Sequence, residues 1–284
     1  MKTNKLLKII VLAPVIFYAI ILILFPILYI LGLSFLKSDS YGGIINTFTL
    51  ENYLNLANSI YILSFLKSFL IGGITTIICI VISFPFAYFL SKQKESLKNF
   101  VYTLVILPFL TNSLIRMYGW IILLRKSGII NATFLSMGFL DKPMSLMYNN
   151  FGIVLGMVYT LLPYMIMPLF SACEKLDKRL IEASYDLGAS KFQTLKNVIL
   201  PGIKTGLFNG SLMVLIPSIG YFFISDILGG GKLMLIGNLI KNQFYIARNW
   251  PFGSAIAIIL IIITFILIHL YKKTGGKMDD LGGA

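Results

Sequence analysis

The chain has 284 residues, 57% of them hydrophobic and 12% charged, with a formal net charge of +13. A soluble domain is about 45–50% apolar; that excess and the mean hydropathy of +0.87 exclude an ordinary soluble enzyme and point to an integral membrane protein with one domain of packed spans. The positive charge does not imply nucleic acid, because the lysines and arginines flank apolar runs, where anionic lipid attracts them.

In chain order, six apolar runs come near the roughly 20 residues that cross a bilayer. They fall at about 9–33, 69–90, 100–124, 151–172, 198–224 and 252–271, and predict an all-α chain of six transmembrane helices. The first run is too long for the h-region of a cleaved signal, and no small-residue cleavage motif follows it, so it reads as a retained span. With both termini in the cytoplasm, the cytoplasmic segments carry 14 basic residues, among them Lys2, Lys5, Lys8, Lys272, Lys273 and Lys277. The longer external segments, 34–66, 125–150 and 225–251, carry 7, including Lys232. That asymmetry satisfies the positive-inside rule and makes 173–197 cytoplasmic.

Within the runs, Cys79 lies in the second span and Cys173 at a cytoplasmic membrane edge, and neither reads as half of a disulfide. In the third run, FLTNSLIRMYGW sets Asn112, Arg116 and Gly119/Trp120 at helical spacing on one face. A cation inside a span either pairs with a carboxylate or backbone carbonyls, or lines a path for solute. Asn131-Ala-Thr is a formal glycosylation sequon that carries no weight alone. The fifth run ends PSIGYFFISDILGGGK, where Pro217 and Gly220 loosen the helix ahead of Tyr221, Phe222, Phe223 and Asp226. Aromatic faces beside an acid at the outer membrane surface suit a cation; the alternative is an aromatic belt with a capping Asp. His269, the only histidine, reads as an interfacial group. The sequence shows no metal-ligand spacing, no Gly-x-Ser-x-Gly and no Walker-type glycine loop, so a non-catalytic chain without a bound metal is expected.

The segment LDKRLIEASYDLGASKFQTLKNVILP interrupts this apolar pattern. Leu176, Leu180, Ala183 and Leu187 form one apolar stripe, with Asp177, Lys178, Glu182 and Asp186 around the rest. Asp177 can cap the helix start, and Gly188 can supply the left-handed residue that ends it. Ser190 and Gln193 have capping-box spacing, so a second helix starts at once and reaches Pro201 as it enters the fifth span. A short amphipathic helix of mixed charge suits docking into a groove of a cytoplasmic partner better than lying on lipid.

Glu182-Ala183-Ser184, then Gly188, then Ile199-Leu200-Pro201, resembles the EAA loop of ABC importer permeases, with Ser184 and Val198 as mild departures. The resemblance implies the type I importer permease (MetI-like) fold over 1–284, with a coupling loop at about 173–201 that docks on an ATPase through Glu182, Ala183, Ser184, Gly188, Leu200 and Pro201. LPFLTNSLIRMYGW, LLPYMIMPLFSACEKLDK, YFFISDILGGGKLMLIGNLIKNQF and ARNWPFGSAIAI extend it over nearly the whole chain and resemble the spermidine/putrescine branch. That branch implies a polyamine path past Tyr221, Phe222, Asp226, Asn112, Arg116 and Trp120. It also implies a PotC-like second permease, two copies of a PotA-like ATPase, a PotD-like external binding protein, and a multi-pass place in a bacterial inner membrane. No cofactor is expected in this chain, since ATP-Mg belongs to the ATPase. A permease for an amino acid, thiamine or an iron complex is the alternative within the class. An ion-coupled secondary transporter is the alternative outside it, and the EAA loop argues against that one.

Overall fold

The computed structural model describes residues 12–15, 17–39, 42–231 and 233–273, the last three of these as backbone only. Lys2, Lys5, Lys8, Lys232, Lys277, the start of the first apolar run and the side chains of Lys272 and Lys273 lie outside the described residues. The described helices are α1 (Phe25–Ser34), α2 (Glu51–Asn55), α3 (Ser59–Ser91), α4 (Glu95–Ile106), α5 (Ser113–Leu124), α6 (Ile129–Ser136), α7 (Asn150–Glu174), α8 (Lys178–Asp186), α9 (Lys191–Thr194), α10 (Leu200–Gly202), α11 (Lys204–Gly220), α12 (Phe222–Gly229), α13 (Ile236–Tyr245) and α14 (Trp250–Lys273). An antiparallel hairpin, β1 (Leu36–Ser38) and β2 (Ile44–Phe48), was not anticipated.

Four stretches are long and apolar enough to cross a membrane as continuous helices: Leu12–Ser34, Ser59–Ser91, Asn150–Glu174 and Trp250–Leu270. The third and fifth predicted runs are not straight spans. The third breaks between α4 and α5, through a 3-10 turn at Leu107–Leu110, with a bend of 93°. The fifth bends by 68° between Gly202 and Lys204 and breaks again at Tyr221 (ψ 92°), one residue past Gly220. The second span begins at Ser59, about ten residues before its apolar run.

The chain divides into two compact units, one of described residues up to Leu63 with Leu239–Ile263, the other of Ser64–Asn238 with the described residues from Thr264 on. In the first, Asn52 Nδ2 donates to the carbonyls of Ser34 and Leu36, both at 2.9 Å, and so ties α2 to the end of α1. Phe35 stacks on Phe48 across the hairpin at 5.4 Å.

In the second unit, Ile153, Met157, Leu161, Met165 and Leu169 recur every four residues along α7, and all are fully buried. In lipid there is no hydrophobic gain on bringing helices together, so tight packing and small residues do that work. Gly206 of α11 lies so close to α7 that a Cβ there would come within 2.5 Å of the Pro168 carbonyl oxygen. A Cβ on Gly156 of α7 would meet Leu228 of α12 at 2.5 Å. Hydroxyls inside the helices bond one turn back, Ser68 to the Ser64 carbonyl, Thr76 to Gly72 and Thr160 to Gly156, which satisfies them without water. Asn131 is fully buried: its Nδ2 donates to the carbonyls of Arg125 and Met144, and its Oδ1 accepts from the Met144 amide. The sequon is therefore an internal clamp.

Candidate functional site

The loop between α7 and α11 forms by local rules. Asp177 Oδ1 accepts from the Arg179 amide at 2.9 Å, and the Arg179 guanidinium pairs with the same carboxylate at 3.0 Å. These bonds to Arg179 hold the Asp177 carboxyl below the usual carboxylate range. The other end of α8 closes through Gly188 at φ +79°. The Gly188 amide donates to the Tyr185 carbonyl at 2.9 Å, and the Ala189 amide to the Ser184 carbonyl at 3.0 Å. This pair of bonds is a Schellman closure. The expected capping box starts α9, with the Gln193 amide donating to Ser190 Oγ and the Ser190 amide to Gln193 Oε1.

One contact ties the two helices. Ser184 Oγ donates to the Ile181 carbonyl at 2.7 Å, so its single proton is spent and it accepts from the Thr194 hydroxyl at 2.9 Å. Thr194 is only 1% exposed. A π-helical turn, Leu195–Ile199, then leads to Leu200 and Pro201 in α10. Glu182, Ala183, Leu200 and Pro201 are exposed. So are Leu180, Tyr185, Leu187 (88%) and Phe192, large apolar side chains on a segment outside the membrane-length helices. An apolar patch carried by an otherwise charged helix is built to be covered.

The second constellation gathers around Arg116. Asn112, expected on the same helical face, instead caps α5, its Oδ1 accepting from the Leu114 amide at 2.8 Å. Four residues on, the Arg116 guanidinium lies 5.6 Å from the Phe109 ring centre and 5.7 Å from that of Tyr159 on α7. Its Nε is buried and makes no hydrogen bond. Neither a carboxylate nor a carbonyl pairs with Arg116 among the described residues. The ring walls have supports of their own, since Phe109 packs edge-on to Tyr164 (5.0 Å) and Tyr159 edge-on to Trp120 (5.3 Å). Tyr221, in the break between α11 and α12, lies within electrostatic range of Arg116 and Tyr164 and packs on Phe223.

Asp226 does not face this group as an N-cap or an isolated acid. It is half-buried in the middle of α12, where its Oδ1 accepts from Asn238 Nδ2, which also donates to the Phe222 carbonyl. Phe222 is 41% exposed. The structure thus joins Arg116, Trp120 and Tyr221 into one cluster and gives Asp226 a separate polar anchor. Phe109, Tyr159, Tyr164 and Asn238 are missing from the sequence reading. The paired aromatics of VYTLLPYM, next to Pro163, were the available signal.

Membrane-length helices carrying an amphipathic helix-turn-helix outside them define a multi-pass membrane transport subunit. The chain belongs to the family of binding-protein-dependent transport system inner membrane components, whose profile matches residues 80–273. It is 45% identical over 276 residues to the spermidine/putrescine transport system permease protein PotB of Haemophilus influenzae, covering 97% of this chain and 96% of that one. To the protein of the same description in Salmonella typhimurium it is 41% identical over 279 residues, covering 98% and 97%. Among solved structures it is similar to a bacterial ABC transporter involved in the import of alginate (TM-score 0.69, 14% identity, 95% and 96% covered). It is also similar to a bacterial alginate ABC transporter in complex with a pentasaccharide-bound periplasmic protein (TM-score 0.74, 15% identity, 94% and 93% covered). At those identities the structures establish the fold alone, that of a type I ABC importer permease.

Proposed function

We propose that this chain is the permease subunit of an ATP-driven importer of spermidine and putrescine and forms half of its translocation pore. The observation that carries this reading is the 41–45% identity, over almost the full chain, to permeases described as spermidine/putrescine transport components. Residues 1–284 act as one permease domain with both termini in the cytoplasm. A PotC-like permease supplies the other half of the pore, a PotA-like ATPase dimer binds and hydrolyses ATP-Mg, and a PotD-like protein delivers the polyamine from outside. The chain itself then needs no cofactor and carries out no catalysis.

The segment 173–201 would couple the two sides of the membrane. Its exposed stripe, Leu180, Ala183 and Leu187, supports a docked helix, with Glu182, Ser184, Gly188, Leu200 and Pro201 setting its shape. Closure of the ATPase dimer would move α8, and the spans would rock between inward-open and outward-open arrangements. Substrate would pass Tyr221, Phe222, Asp226, Asn112, Arg116 and Trp120. The test is uptake into proteoliposomes holding the complete importer. Labelled spermidine should accumulate only with ATP inside and the binding protein outside. Uptake of an amino acid, thiamine or an iron complex in its place would discard the polyamine assignment, and ATP-independent uptake by this chain alone would discard the importer.

A further inference from the structure

We propose that the ring cluster around Arg116 is an ammonium-binding cage, and that the Arg116 guanidinium fills it in the resting protein as a tethered stand-in for the cargo. This rests on the polyamine reading above and adds a site and its regulation. Phe109 and Tyr159 present ring faces at 5.6 and 5.7 Å to one cation, within the roughly 6 Å at which ring quadrupoles attract positive charge. Such a box has no preference for guanidinium over an alkylammonium, and a polyamine is a chain of alkylammonium groups.

Two features separate a stand-in from a structural arginine. A structural arginine uses its fork of donors, yet here the buried Nε goes without a hydrogen bond, and no carboxylate pairs with the group among the described residues. The cage walls do not depend on it either, because Tyr164 braces Phe109 and Trp120 braces Tyr159. The arginine can therefore leave without the box collapsing.

Tethering has a use. A group held on a short flexible link competes at an effective concentration on the order of millimolar. Free polyamine then occupies the cage weakly, and a pathway site must hold its cargo loosely enough to let go. When the delivered cargo is locally concentrated, its ammonium takes the rings and Arg116 swings aside, which puts one positive charge behind the departing one.

The experiment measures equilibrium binding of labelled spermidine, and separately of tetramethylammonium, to the intact permease–ATPase complex without nucleotide or binding protein. Removing the competitor in Arg116→Gln should tighten both by about tenfold, and adding Tyr159→Leu should abolish the gain. Arg116→Met should behave as Arg116→Gln does. No gain in either variant overturns the proposal, and so does a gain that survives Tyr159→Leu. If the complex assembles with Arg116→Lys but with neither uncharged variant, the cation is a strut and the proposal falls. The polyamine reading fails separately, if the wild-type importer takes up no polyamine. Tighter tetramethylammonium binding in Arg116→Gln would then still establish the cage.

Discussion

The Thr194 hydroxyl donates to Ser184 Oγ across 2.9 Å and locks the first helix of the coupling loop to the second. Ser184 is where the chain departs from the small third residue of an EAA loop, so the departure carries a bond. Ser184→Ala leaves a hydroxyl that is 1% exposed without its acceptor, at a cost of about 1–3 kcal/mol. The purified complex should melt lower and lose transport per ATP hydrolysed. Ser184→Ala with Thr194→Val should recover most of the loss, because removing both polar partners is nearly neutral. Additive losses in the pair would show that the bond contributes nothing.

Gly188 makes its turn at φ +79°, and a Cβ there would meet nothing within 4 Å. The position therefore isolates backbone strain from crowding. Gly188→Val should cost roughly 1–2 kcal/mol locally and reduce ATPase co-purification and uptake at normal membrane levels. Gly188→Asn, which tolerates the left-handed region, should retain more of both. Equal behaviour of the Val and Gly proteins would refute this account of the turn.

The loop was legible in the sequence because each signal is local. Asp177, Gly188, Ser190 and Gln193 act within a few residues of themselves, and each does what its spacing predicted. The breaks in the third and fifth spans were not. A run of apolar residues looks alike straight or bent, and Pro108 and Asn112 marked the first break only in retrospect. The second span was read too short because Ser64 and Ser68 look like loop residues. Both are buried, and Ser68 Oγ accepts from the distant Ile236 amide at 2.8 Å. The aromatic cage depends on contacts between α5 and α7 that no window of sequence contains.

Membrane orientation is testable at exposed side chains. Asn46, Asp141 and Lys178 are all exposed, so labelling there reports sidedness rather than burial. Cys79 and Cys173 are buried and can be replaced for the background. With an impermeant maleimide outside, Asn46→Cys and Asp141→Cys should react, and Lys178→Cys should react only after permeabilisation. The reverse pattern would invert the topology.

Asp226 keeps its hydrogen-bond geometry in Asp226→Asn, since an amide oxygen still accepts from Asn238 Nδ2. The charge alone is lost. At about 4 Å and an effective dielectric near 20, its attraction for an ammonium is about 4 kcal/mol before desolvation is subtracted. Spermidine uptake should drop severalfold while assembly and basal ATPase activity persist, with Asp226→Glu between the two. Full uptake by the Asn protein would confine Asp226 to holding α12 against Asn238.

The π turn at Leu195–Ile199, closed by the Leu200 amide on the Leu195 carbonyl, is an α-helix holding one residue too many. Each residue advances a helix by about 100°, so this surplus sets the phase between the capping box at Ser190 and the point where Pro201 turns toward the membrane. Deleting any one residue of the turn would relax it to an ordinary helix with every bond made, yet rotate the following span by that angle relative to the docked one. What the stretch between Gly188 and Pro201 must preserve is then its count of residues more than their identities.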